Sequence, residues 1–177
     1  MKFAITGHTR GLGKELYNLL PNDTLGFSTS TGHTIATAEG RSQIVDLCKD
    51  CDVFINCAFD YDNPFAQSLM LFELYQHWET QPKLIINIGS DVTSGIKTAK
   101  PRLYVAGKAA LDKLSEQMSW NKSPVHVSNF RFSYVWTDDG SYDGEEKWID
   151  RAEAAKFIIE HVDNALKYNL TEVLIRA

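Results

Sequence analysis

Tyr104 and Lys108 stand four residues apart in the run Tyr104-Val105-Ala106-Gly107-Lys108-Ala109-Ala110-Leu111, and in a helix that spacing puts both side chains on one face. A free phenol ionises at about pH 10. An ammonium beside it favours the phenolate. Such a pair can give a proton to a carbonyl oxygen, or take one from an alcohol, near neutral pH. Ser90 ends the apolar run Ile85-Ile86-Asn87-Ile88-Gly89-Ser90. In open α/β sheets ligands gather beyond the carboxyl ends of the strands, so its hydroxyl is placed to hold a substrate oxygen. A Tyr and a Lys at helical spacing also occur on ordinary helix surfaces, and a serine often serves only as a cap. The wider run of small residues around Lys108 is the more specific signal.

A second signal lies near the start of the chain. Lys2 to Thr6 reads as a buried strand that runs into Thr6-Gly7-His8-Thr9-Arg10-Gly11-Leu12-Gly13. Gly13 to Leu20 then reads as a helix ended by Pro21. Glycines let the backbone turn sharply and let phosphates approach, and the helix N-terminus adds free N–H groups and partial positive charge. The spacing, Gly7-x3-Gly11-x-Gly13, differs from the GxGxxG pattern. The candidate phosphate contacts are Gly7, Thr9, Arg10, Gly11, Leu12 and Gly13.

The elements between these signals alternate. Thr24 to Ser28 reads as a strand, His33 to Thr37 as a further short strand, and Arg41 to Lys49 as a helix. Asp52 to Ala58 is a strand that ends in small and polar residues. An aromatic-rich helix follows over Pro64 to Glu79, with Asn63 as its cap and Pro64 in its first position. Lys83 to Ile88 is a strand, Arg102 to Trp120 a long helix, and Pro124 to Phe132 a strand. Residues 137–147 form an acidic loop, Trp148 to Lys167 a helix, and Glu172 to Ile175 a last strand. This order predicts an α/β fold: a three-layer, Rossmann-like, doubly wound sheet of mostly parallel strands with helices on both faces. Residues 1–177 form one domain, with a minimal lid at about 137–148.

The loop Thr6–Gly13 is similar to the TGxxxGxG turn of the short-chain dehydrogenase/reductase family. Residues 104–111 resemble that family's Tyr-x-Ala-Ser-Lys-Ala-Ala-Leu, with Gly107 in the place of the serine. The resemblance runs along nearly the whole chain and implies an NAD(P)-dependent oxidoreductase that moves hydride between a nicotinamide and a small carbonyl or alcohol. It implies that Ser90, Tyr104 and Lys108 are catalytic and that Tyr104 and Lys108 also touch the cofactor. Lys108 would lower the Tyr104 pKa and bind the nicotinamide ribose. Asn56-Cys57-Ala58 resembles Asn-Asn-Ala-Gly, with Phe59 in the place of the glycine, so Asn56 and Ala58 would pack by the adenine ribose. Thr137 would lie near the nicotinamide amide. Asn63 or Gln67 would stand in for a helix Asn that holds a relay water in some members.

The second strand ends in Gly26-Phe27-Ser28-Thr29-Ser30, without the acid that binds a ribose 2′-hydroxyl. The hydroxyls of Ser28 and Thr29, with the charge of Arg10, favour NADP(H), with NAD(H) as the other option. A non-catalytic nucleotide-binding sensor or scaffold is the alternative reading.

The totals limit other classes. A net charge of −5 argues against a nucleic-acid partner, and no apolar run reaches the ~20 residues of a membrane helix. Cys48, Cys51 and Cys57 complete no metal site, and reduced thiols with no leader segment point to the cytoplasm. The helix at about 64–79 is apolar nearly all round, which, with the helix at about 102–120, predicts a homodimer.

Overall fold

Phe3-Ala4-Ile5, Val53-Phe54-Ile55 and Leu84-Ile85-Ile86 are apolar at every position, so strands made of them need cover on both faces. The computed structural model, which describes residues 1–95, 102–136 and 148–176, provides that cover. Its strands are β1 (Phe3–Thr6), β2 (Leu25–Phe27), β3 (Val53–Asn56), β4 (Leu84–Ser90), β5 (His126–Phe132) and β6 (Glu172–Ile175). They form one parallel sheet in the order β2-β1-β3-β4-β5-β6. The helices are α1 (Gly11–Leu19), α2 (Ala38–Leu47), α3 (Ala66–Trp78), α4 (Leu103–Ser119), α5 (Arg151–Glu160) and α6 (Val162–Tyr168).

The pleat sends alternate residues into two cores. Ala4, Phe54, Ile85 and Val127 meet α2, α3 and α4 through Ile44, Leu71, Leu74, Trp78 and Leu111. Ile5, Ile55, Ile86 and Phe130 meet α1, α5 and α6 through Leu16, Ile158 and Ala165. Cys48 and Cys51 are buried in the first of these cores. The chain turns outward in opposite directions from β1 and β3, so the crevice between their carboxyl ends is the switch point where doubly wound folds bind ligands.

Four local expectations need correction. His33 to Thr37 is not a strand. A short 3-10 turn (Thr29–Thr31) leads instead into an irregular segment whose polar groups are met by side chains. Arg41 Nη1 donates to Ile35 O (2.9 Å), and Thr37 Oγ1 accepts from Gly40 N (3.1 Å), which starts α2 at Ala38 rather than Arg41. Asn63 does not cap α3. Its side chain donates to Ala36 O (2.9 Å), and the helix begins at Ala66 behind Phe65. Trp148 is not helical either. Ile149 bridges to Val135, and Asp150 caps α5 by accepting from Ala152 N and Glu153 N. The single helix expected there is two, because α5 ends at His161 and α6 starts anew.

Helices α3 and α4 approach closely at Gly107. A Cβ there would lie 2.2 Å from the Pro64 carbonyl oxygen. Gly107→Ala should therefore destabilise by about 1–2 kcal/mol, since overpacking against backbone outweighs the better helix propensity of alanine. Urea unfolding measures this, and an unchanged midpoint would mean that the two helices separate at no cost.

Candidate functional site

The phosphate end is built from three strand ends. Gly7 follows β1 with φ 78°, and its N–H donates to Phe27 O of β2 (2.7 Å). A Cβ on Gly13 would lie 2.2 Å from Gly7 O, so only glycine lets α1 start this close to the turn. Thr6 Oγ1 accepts from Cys57 N and Ala58 N (3.1 Å each), which ties the end of β1 to the end of β3. No side chain caps α1, and the exposed Arg10 guanidinium has no hydrogen bond or ion pair among the described residues. On the β2 side, Ser28 Oγ and Ser30 Oγ share a hydrogen bond (2.8 Å), and Ser30 reaches Thr9 Oγ1 (3.5 Å). Thr29 is exposed beside them. Free helix N–H groups, hydroxyls and an unpaired guanidinium suit a pyrophosphate and a 2′-phosphate.

The structure brings Ser90, Tyr104 and Lys108 together. Ser90 ends β4, and its hydroxyl accepts from Val92 N (3.3 Å), capping the 3-10 turn Asp91–Ser94. Ser90 also acts on the nearby Tyr104 phenol, pulling its pKa down against the larger effect of burial. Behind Ser90, its carbonyl accepts from Thr93 Oγ1 (3.1 Å), and Thr93 also hydrogen-bonds Asp112 and accepts from Arg131 Nη2 (2.8 Å). Arg131 pairs with Asp112 (3.4 Å) and with Glu172. These groups line a polar groove of ≈ 520 Å³ along the flank of α4, which neither Tyr104 nor Lys108 lines.

Lys108 is 4% exposed. Its Nζ donates to Gln67 Oε1 (2.8 Å) and Ile88 O (2.7 Å). Gln67 in turn donates to Asn56 O (2.7 Å) and Ile88 O (3.2 Å). Gln67 therefore grips the lysine itself, a role its place in the sequence did not disclose. The side chain of Asn56 turns inward to Gln67 O and Asn87 Oδ1 (2.9 Å each), and Asn87 reaches Ser115 on α4 (3.1 Å). Asn56 thus steadies the sheet, while Ala58 stays at the crevice against Gly7. Thr137 and nearly all of the lid expected at about 137–148 lie outside the described residues.

Sequence reasoning gave no role to the rings around Tyr104. Phe59 meets it edge-on at 4.9 Å, and Tyr61 stacks on it at 6.1 Å and 20°. The Lys108 ammonium lies 5.1 Å from the Phe59 ring centre and 5.8 Å from that of Tyr104.

Burial lowers the Lys108 pKa to about 8, opposed by Cys57 and Asp112. Burial raises that of Tyr104 above its usual 10, with Ser90 pulling the other way and Tyr61 and Asp112 adding to the rise. The expectation that Lys108 lowers the Tyr104 pKa is thus reversed here: the phenol is held protonated, because desolvation outweighs its partners. Burial also pushes the Cys57 thiol up to about 11, so it stays neutral.

No protein-family model and no curated protein matches the chain. Solved structures do match its fold. BdcA in complex with NADPH superposes with a TM-score of 0.81 at 13% identity, over 99% of this chain and 92% of that one. A short-chain dehydrogenase/reductase from Vibrio parahaemolyticus gives 0.76 at 17%, over 98% of each chain. A short chain dehydrogenase from Burkholderia cenocepacia in complex with NADP gives 0.77 at 17%, over 99% and 88%. With its six parallel strands and doubly wound order, the chain has the fold of the short-chain dehydrogenase/reductases.

Proposed function

We propose that this chain is an NADP(H)-dependent oxidoreductase of the short-chain dehydrogenase/reductase type, acting on a small carbonyl or alcohol. The observation that carries the reading is the placement of Ser90 and Tyr104 at the carboxyl edge of the sheet, with Lys108 one helical turn behind Tyr104 and anchored to Gln67 and Ile88 O. Several structural neighbours are complexes with NADPH or NADP, and here Arg10, Ser28 and Ser30 supply donors for a 2′-phosphate. When bound, the nicotinamide supplies or accepts the hydride. Ser90 orients the substrate oxygen and stabilises the negative charge that develops on it. Tyr104 gives its phenolic proton to that oxygen, and being held protonated at neutral pH it is suited to reduction. Lys108 donates to the ribose hydroxyls from its anchored position. Among the described residues no helix is long and apolar enough to cross a membrane.

The reading includes a homodimer. Phe65, Leu69 and Phe72 stay 44%, 39% and 42% exposed. Their i, i+4, i+7 spacing makes one outward stripe along α3 and the turn before it, more apolar surface than a free helix face needs. Phe72→Glu should shift the sedimentation coefficient from dimer to monomer, and a wild-type chain that sediments as a monomer refutes this part.

Calorimetric titration tests the cofactor assignment. NADPH should bind more tightly than NADH, and Arg10→Ala should weaken NADPH by about tenfold with little change for NADH, the value of one charge-assisted hydrogen bond. Tyr104→Phe should lower turnover at least ~100-fold while leaving the NADPH affinity in place. Binding without turnover in the wild-type chain would favour a sensor or scaffold instead.

The lysine also sets a stability window. Its folded pKa of about 8 lies below the usual 10.5, so between those values the unfolded chain holds a proton that the folded chain does not. Stability from this group therefore rises with pH across that window. Relative to Lys108→Met, the wild-type chain should gain about 2 kcal/mol between pH ~7.5 and ~9.5 in urea unfolding. A flat difference would mean that the buried amine titrates normally.

A further inference from the structure

An ammonium has three protons to donate. Lys108 commits two of them, to Gln67 Oε1 (2.8 Å) and Ile88 O (2.7 Å). Two rings also lie close to it: the Phe59 ring centre is 5.1 Å from Nζ and that of Tyr104 5.8 Å. Both are within reach of a cation–π contact. With the residue only 4% exposed, a ligand hydroxyl cannot come within the roughly 3 Å of a hydrogen bond unless one ring moves. Tyr104 is fixed on α4. Phe59 sits in the irregular segment after β3, half-buried, with its ring against Tyr104 and the exposed Tyr61 (4.9 Å and 5.1 Å).

We propose that Phe59 is the residue that sets cofactor affinity in this chain: its ring occupies the place beside Lys108 that a nicotinamide ribose must take. The inference rests on the cofactor reading above. At the phosphate end no side chain caps the α1 N-terminus, whereas beside Lys108 the place is filled by the protein's own Phe59 ring. Binding therefore divides into two parts. The adenosine and phosphate half docks on a preformed surface. The nicotinamide half binds only in the fraction of molecules whose Phe59 ring has swung out, and that fraction scales down the apparent affinity. The cofactor's adenosine end alone should thus bind nearly as well as the whole molecule.

The test is calorimetric titration with two probes, NADPH and adenosine 2′,5′-bisphosphate, which lacks the distal ribose. In the wild-type chain the two affinities should agree within about threefold. In Phe59→Ala, NADPH should tighten by about tenfold, as expected if the open state is a tenth of the population, while the bisphosphate stays within about twofold. Phe59→Leu, which keeps apolar bulk in the loop, should move NADPH in the same direction by less. Tyr61→Ala removes the ring that packs on Phe59 at 5.1 Å, so it should move NADPH in the same direction by less than Phe59→Ala, with the bisphosphate within about twofold. Thermal melts of all variants establish that they fold. If NADPH affinity is unchanged or weaker in both Phe59 variants while the bisphosphate still binds, the role given to Phe59 is overturned and the cofactor reading stands. If neither probe binds any folded variant, the cofactor reading falls and the proposal with it.

Discussion

A lysine ammonium taken out of water needs oxygen atoms around it, and most of the carboxyl end of this sheet is arranged to supply them. The Nζ of Lys108 reaches one oxygen on α3, Gln67 Oε1, and one on β4, Ile88 O. Both contacts require α4 to lie close against α3, which the absence of a side chain at Gly107 permits. Gln67 must face inward to accept, and its amide is held there by Asn56 O and Ile88 O. The buried chain from Asn56 through Asn87 to Ser115 joins β3, β4 and α4 a second time, two turns further along α4. Loss of the lysine would strand Gln67 Oε1, whereas Ile88 O would keep its bond from the Gln67 amide.

The anchoring of Lys108 has a chemical consequence one turn away. Tyr104 shares a helix with Lys108, so its position follows from the anchored amine. Ser90 is fixed separately, through Thr93, Asp112 and Arg131 behind it. The Ser90 and Tyr104 hydroxyls are thus supported from opposite sides of α4. At the phosphate end, the Thr6 hydroxyl and the Gly7 backbone N–H join the ends of β1, β2 and β3. The phosphate end is therefore formed before any ligand arrives, whereas at the other end the Phe59 ring lies over Lys108.

Much of this was legible in the sequence because it follows from local rules. Unbroken apolar runs gave the parallel strands, Gly7-x3-Gly11-x-Gly13 gave the turn into α1, and the spacing of Tyr104 and Lys108 gave one shared face. What stayed hidden depends on how elements cross in space. Gln67 could be picked out, but nothing local says that its amide grips a lysine 41 positions away. The direction of the Tyr104 pKa was misjudged for a related reason: proximity to Lys108 is visible in the spacing, whereas burial is set by Phe59 and Tyr61 folding over the ring. Asn63 and His33 to Thr37 failed as local readings because more distant partners, Ala36 O for the first and Arg41 for the second, outcompeted the local pattern.

The places where this chain departs from the family it resembles are not scattered. Gly107, beside the lysine in sequence, lets the helix approach. Gln67 supplies the oxygen that the amine then reaches, and Phe59 covers the side left open. Each would be hard to accept alone. A phenylalanine at a ligand crevice would obstruct it, and a lysine drawn this deep would be an uncompensated charge. Together they form a single solution, in which the amine is pulled into the protein and satisfied from within, with an aromatic face over what remains. A likeness of fold at 13–17% identity says nothing of such local rearrangement. Lys108, Gln67, Gly107 and Phe59 thus form one connected arrangement around a buried amine, and such an arrangement, not the fold, decides what the crevice can hold.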